Sequence, residues 1–131
     1  MSIETELRTK LLADSTISGL IGTRVYPIVA PQNPIYPFIV YQRISGERYY
    51  HLTAAAGRAH PRIRFDVYSN TYLGMKAVAD AVRQDLSKFI GTLTTIKASI
   101  HLETEMEFYE VEDGLHIYRM MQDYFVNHTE A

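Results

Sequence analysis

The chain contains no cysteine and no tryptophan, and no apolar run comes close to the roughly 18 residues that a membrane-spanning helix requires. The absence of cysteine excludes disulfide bonds, thiolate metal sites and a cysteine nucleophile. The N-terminal segment MSIETELRTK includes acids and no continuous apolar stretch, so it does not have the pattern of a signal peptide. From these absences we expect a protein with no membrane partner.

The motifs of common catalytic and nucleotide-binding sites are also missing. There is no G-x-S-x-G elbow, no P-loop and no G-x-G-x-x-G segment. The five histidines lack the spacing of a zinc site, and the nearest pairing of a histidine with an acid, His101 with Glu103, offers too few ligands. We therefore expect no enzymatic activity and no cofactor.

What is present favours one domain with its own core. The chain has 131 residues, of which 47% are hydrophobic, so residues 1–131 are most simply a single domain. Helical spacing of apolar residues predicts helices over 2–13 and 71–88, and strand patterns cover 38–44, 62–68, 95–103 and 115–126. A helical turn after Asp14 and a short strand over 25–28 also fit the pattern.

These elements predict an α+β fold. The expected architecture is a single mostly antiparallel or mixed sheet of about four to five strands, with two helices packed on one face and a long β-hairpin arm. Ser2 is the expected N-cap of the first helix, and Ser69 or Asn70 that of the second. The other face of the sheet then needs cover, and a neighbouring subunit is the simplest source in so short a chain.

The last predicted strand carries apolar residues on both faces, so it is either central in the sheet or buried by another subunit. Asp113-Gly114 just before it is a hairpin turn signal. The polar tail over 127–131 is expected to be frayed. Four of the five prolines lie over 27–37, which predicts either an ordered connector along the surface or a docking edge for a neighbour.

The segment from residue 46 to residue 59 is predicted as an unusually long loop, part of a flexible arm over about 46–60. Arginines gather on this arm and on the two strands at its base, with Glu47 the only acid among them and aromatic side chains beside it. The candidate interaction residues here are Arg43, Glu47, Arg48, Tyr49, Tyr50, His51, Arg58, Arg62 and Arg64.

An acidic stretch lies elsewhere in the chain, with candidate interaction residues Glu105, Glu107, Glu110, Glu112 and Asp113. In a head-to-tail ring, the basic arm of one copy can meet the acidic stretch of the next. Ordinary solvated charge is an equally simple interpretation. A further alternative is a nucleic-acid-binding module, in which the arginines over 43–64 contact phosphates and the tyrosines stack on bases. The formal net charge of −2 counts against that alternative.

The strings PFIVYQRISG, RIRFDVYSNTYLGMKAVADAVRQDL and DGLHIYRM, in that order, resemble the tail completion or tail-to-head joining proteins of long-tailed bacteriophages and prophages. The resemblance covers nearly the whole chain and rests on the order of elements more than on any single motif. It implies a fold similar to that of tail terminators, which form a hexameric ring at the head-proximal end of the tail tube.

The resemblance therefore implies a structural role: a ring that ends tube polymerisation and forms the joint to the head connector. The implied partners are further copies of the chain, which associate either in solution or only on the tail, together with the tail tube protein and the head connector protein. Passive contact with DNA in the channel is also implied. The expected location is the virion tail, after synthesis in the cytoplasm of the bacterial host.

Overall fold

In a computed structural model, the backbone of residues 2–50 and 55–129 and the side chains of residues 2–44 and 60–128 are described. The helices are Ile3–Ala13 (α1), Ser15–Ile21 (α2) and Tyr72–Leu86 (α3), and the strands are Val25–Pro27 (β1), Phe38–Tyr50 (β2), Ala55–Ser69 (β3), Ile90–Thr92 (β4), Lys97–Glu112 (β5) and Leu115–Thr129 (β6). None of the described helices is long and apolar enough to span a membrane.

The strands form one sheet in the order β1-β2-β3-β6-β5-β4. The pairing of β1 with β2 is parallel and every other pairing is antiparallel, so the sheet is mixed. The α+β class is confirmed, whereas the predicted strand and helix numbers were too low. The prediction missed β4 because three residues are too few to show a period, and it counted β1 and α2 only as short extra elements.

Short polar side chains fix where the helices begin. Ser2 caps α1 as predicted, because its hydroxyl accepts from the Thr5 N–H at 3.2 Å. The cap of α3 is Thr71, whose hydroxyl accepts from the Gly74 N–H at 3.1 Å, and not Ser69 or Asn70. The Ser69 hydroxyl instead accepts from the Thr71 N–H at 3.3 Å, one step before the helix.

The hydrophobic core lies between the three helices and one face of the sheet. The helices contribute stripes of buried residues, among them Leu7, Ile17 and Leu86, and the sheet contributes alternate residues such as Phe65 and Tyr124. The Gln122 amide, buried on the same face, donates to the Ala79 carbonyl of α3 at 3.0 Å. This bond satisfies a buried polar group and ties the middle of the sheet to the helix.

The last strand is central in the sheet, between β3 and β5, and this explains its two apolar faces. The turn before it has left-handed backbone at Asp113 (φ 52°) and Gly114 (φ 79°), as the hairpin signal predicted. The strand continues to Thr129, which pairs with Arg58, so residues 127–129 lie in the sheet although the sequence predicted fraying from residue 127.

Most of the segment predicted as a long loop is strand. β2 continues to Tyr50 and β3 begins at Ala55, with Glu47 opposite His60 and Tyr49 opposite Arg58 in the ladder. The arm is therefore a hairpin that extends the two strands, and within it residues 51–54 lie outside the described backbone. The alternation of side chains here is polar and rich in small residues, which hides the strand pattern from sequence inspection.

The second face of the sheet is covered in part by the proline-rich segment of the same chain. The Tyr36 and Phe38 rings are 5.2 Å apart, and Phe38 stacks on Tyr68 of β3 at 5.0 Å. The expected neighbouring subunit is therefore not needed at this end of the face. Ile28, Val29 and Ile35 remain about 70% exposed on the outside of the segment, at 73%, 72% and 67%.

Candidate interaction surfaces

The arginines at the base of the arm are held by carboxylates of the same chain. Arg62 Nε and Arg64 Nε donate to the two oxygens of Asp123 at 2.9 and 2.8 Å, and a second Arg64 nitrogen reaches Oδ2 at 3.2 Å. The Asp123 side chain is fully buried, whereas the two arginines stay about 30% exposed, at 31% and 30%. Arg62 and Arg64 thus have a structural role on the second face of the sheet.

The bound guanidinium groups determine the protonation of Asp123. Burial by itself would raise the pKa of this carboxyl, but the hydrogen bonds from Arg64 and Arg62 outweigh burial and hold the pKa below its ordinary value. The same contacts raise the pKa of Arg64. Asp123 is therefore ionised at neutral pH, and the cluster carries one negative and two positive charges.

Arg43 is also paired within the chain. Its Nε donates to Glu4 Oε1 of α1 at 2.8 Å, across the helix-covered side of the sheet. The side chains of Glu47, Arg48, Tyr49, Tyr50 and Arg58 lie outside the described residues, as does the whole of His51. The described arginines of the predicted basic surface, Arg43, Arg62 and Arg64, are therefore all engaged by carboxylates of the same chain.

The acidic stretch is divided between the two faces of β5. A register shift between Leu102 and Thr104 inserts Glu103 as an extra residue, so the alternation changes phase at that point. Glu105 then faces α3, accepts from the Gln122 amide at 2.9 Å and lies 3.5 Å from Arg83. Glu107, on the same face, accepts from the Tyr72 hydroxyl and thereby raises the pKa of that phenol.

Glu110, Glu112 and Asp113 line a groove on the second face of the sheet. The groove has a volume of about 880 Å³ and lies between the proline-rich segment and the β5–β6 turn, with Ile28, Val29, Pro34, Tyr36, Leu115 and Ile117 among its other lining residues. Burial, and then the charges of Glu112 and Glu110, raise the pKa of Tyr36. This surface combines exposed aliphatic side chains with negative charge.

Arg119 lies on the same face of the sheet, between the groove and the Asp123 cluster. It stacks over the Phe108 ring of β5 at 4.1 Å and lies 3.7 Å from Asp66, which is too far for a hydrogen bond. Burial raises the pKa of Asp66, and Arg119 and Arg64 only partly offset it. Phe108 and Met106 remain 40% and 53% exposed beside this pair, so this face keeps apolar surface open to a partner.

Sequence inspection missed two buried carboxylates that hold the fold together. One is Asp123, and the other is Glu6 of α1, which accepts from the Thr95 N–H at 2.7 Å and the Ile96 N–H at 3.0 Å. Burial would raise the pKa of Glu6, but the bonds from Thr95 and Ile96 lower it overall. Glu6 comes three residues after the buried Ile3, which places it on the same face of the helix, and this spacing is the signal in the sequence that it points inward.

No cluster of three or more histidine, aspartate or glutamate side chains suited to a metal ion occurs among the described residues. His101 and Glu103, the nearest histidine–acid pairing in the sequence, are both exposed on β5.

Comparison with known proteins identifies the class. Residues 5–107 match the family described as "Tail completion protein gp17", and the chain belongs to that family. It is therefore a structural protein of bacteriophage-type tails, as the sequence resemblance implied. No curated protein matches the sequence.

A solved structure supports the fold. A chain from the structure titled "Virion of native gene transfer agent (GTA) particle" matches with a TM-score of 0.76 over 98% of this chain and 95% of that chain. The sequences are 17% identical, so the likeness concerns the fold alone.

Proposed function

We propose that the chain caps the head-proximal end of the tail tube as a ring, ends tube polymerisation and forms the joint to the head connector. The observation that carries this proposal is the family match over residues 5–107, most of the chain. The ring is a homo-oligomer, with a hexamer as the expected state, and its other partners are the tail tube protein and the connector. The protein acts without a cofactor and catalyses no reaction.

Charge favours a head-to-tail contact within this ring. The end of the sheet that carries Glu110, Glu112 and Asp113 is acidic, and the opposite end carries Arg48 and Arg58 on the arm. A positive end that meets the negative end of the next copy generates a ring when the rotation closes. The predicted use of Arg62 and Arg64 in this contact is not retained, because both already bind Asp123.

The same internal pairing weakens the nucleic-acid alternative. Phosphate binding needs cations that are free to replace counterions. Arg43 is already paired with Glu4, and Arg62 and Arg64 already share Asp123. No observation on the described residues favours DNA binding over assembly.

Removal of the protein tests the capping function. In virion assembly without this chain, we expect tubes that exceed their normal length and fail to join heads, because nothing occupies the growing end. Tube length and head attachment are measured by negative-stain electron microscopy, and resupply of the purified chain serves as the control. Tubes of normal length that still join heads would contradict the proposal.

A further inference from the structure

In the described backbone, the outer sides of β2 and β5 are each covered over only part of their length, by the short strands β1 and β4. β1 pairs with β2 at Ile39–Tyr41, which leaves the rest of β2 toward the arm without an outer neighbour. β4 pairs with β5 at Lys97–Ser99, which leaves β5 from about residue 102 to residue 112 without one. Each bare segment presents backbone N–H and C=O groups that another strand can bind.

The two bare segments lie at diagonally opposite corners of the sheet. The ladder places Arg48, near the arm end of β2, level with His128 and Ala98, and Phe38, at the start of β2, level with Arg119 and Phe108. If the end of the sheet with the arm is taken as its top, β1 covers the lower corner on the β2 side and β4 covers the upper corner on the β5 side. The bare part of β2 runs upward and the bare part of β5 runs downward, so in adjacent copies they meet as antiparallel strands.

The backbone of the bare part of β5 is regular enough to pair with another strand. Register shifts lie at Arg43/Ser45 in β2 and at Leu102/Thr104 in β5, where each bare segment begins. Beyond its shift, β5 pairs with β6 without interruption from Thr104 to Glu112. A bulge in the middle of an exposed edge strand discourages the addition of another strand. A bulge where the exposed segment begins bends the strand there and leaves the remaining segment regular.

Charge selects which edges can pair. Two β5 edges in a twofold dimer would place Glu105, Glu107, Glu110 and Glu112 against the same acids of the other copy, and like charges opposite each other are destabilising. The bare part of β2 has no run of acids: Arg43 is paired with Glu4, and beyond it the sequence holds one cation, Arg48, and one acid, Glu47. Pairing of β2 with β5 is therefore favoured over self-pairing of β5, and this contact is head to tail.

We infer that the bare edge of β5 in one copy adds to the bare edge of β2 in the next as an antiparallel strand pair, so that the sheets of the ring join edge to edge. The two bare segments occupy opposite halves of the sheet along the strand direction, so pairing them shifts each copy along that direction relative to its neighbour. Such a shift tilts the strands, as the closure of a sheet into a barrel requires. This inference rests on the proposed ring and specifies which surfaces of two copies form it.

The absence of cysteine permits a clean cross-linking test. Ile44→Cys in β2 is combined in turn with Thr104→Cys, Met106→Cys or Phe108→Cys, which step along one face of the bare β5 segment. After oxidation we expect at least one combination to give a covalent ladder from dimer upward on a non-reducing gel. The control combination is Ile44→Cys with Thr92→Cys in β4, at the covered corner, and it should stay monomeric.

Light scattering under reducing conditions separates the edge pairing from the ring itself. A sixfold mass with no ladder from any of the β5 combinations overturns the edge pairing and leaves the ring in place. A ladder from the control as strong as that from the β5 positions also overturns it. A mass of 15.0 kDa at every concentration with no ladder contradicts both the edge pairing and self-association of the chain. Thermal melts of each variant confirm that it is folded.

Discussion

Replacement of Asp123 by asparagine is expected to lower the free energy of unfolding by about 3 kcal/mol. Removal of one partner from a buried ion pair typically costs about 3–5 kcal/mol, because the remaining charge is left uncompensated. The lower end applies here since Arg62 and Arg64 stay about 30% exposed, at 31% and 30%, and retain some solvent. Urea denaturation of both proteins measures the difference as a shift in midpoint at unchanged slope.

The loss of stability caused by Asp123→Asn should become smaller as the pH is lowered. The folded pKa of Asp123 lies below its ordinary value, so its stabilising contribution is fully present above the unfolded pKa of about 4. It is lost as the pH falls through the lower, folded pKa. The gap between the two proteins should therefore be constant near neutral pH and shrink in acid.

A matched control comes from an exposed ion pair. Asp80 lies 3.2 Å from Arg83 on α3 and its side chain is 44% exposed, so Asp80→Asn should change stability by no more than about 1 kcal/mol. Equal losses from Asp123→Asn and Asp80→Asn would refute the structural role assigned to the Arg62–Asp123–Arg64 cluster.

Leu86→Ala should destabilise the fold by about 2–5 kcal/mol, the range for truncation of a buried leucine that leaves a cavity. Leu86 is the last residue of α3 and has no exposed surface in the core beneath the sheet. Leu73, on the same helix, is 79% exposed, and Leu73→Ala should change stability by less than about 0.5 kcal/mol. A loss below about 1 kcal/mol for Leu86→Ala, measured by urea denaturation, would remove Leu86 from the core.

The core stripe of α3 was predictable because its period is expressed within one element. Met75, Val78, Ala79, Val82 and Leu86 recur at helical spacing, and all are buried. For β6, the sequence predicted two alternatives, a central position in the sheet or burial by another subunit. Its two apolar faces indicate burial on both sides, but the sequence cannot show whether its neighbour strands come from the same chain.

The roles of the arginines were not predictable from the sequence. Arg62 and Arg64 alternate with apolar residues and look like a solvated strand face. Their partner, Asp123, is distant in sequence and comes beside them only through the β3–β6 register, which pairs Arg64 with Asp123. A register set by tertiary packing decides here whether a basic strand face is free for a partner or occupied.

The faces on which the acidic residues lie were not predictable from the sequence. The extra residue at Glu103 changes the phase of β5, so Glu105 and Glu107 face α3 whereas Glu110 and Glu112 face the groove. A bulge leaves no clear mark in a sequence that alternates acids with aromatic and aliphatic residues. The acidic stretch is thus two surfaces, one on each face of β5, and Glu105 and Glu107 are exposed on theirs as well.

Electron cryo-microscopy of the head-proximal end of the tail in assembled virions tests the central claim most directly. The account predicts a closed ring of six copies of this chain at that end only, each copy bringing its β5 edge beside the β2 edge of the next. Copies distributed along the tube, or a single copy at the joint, would contradict it.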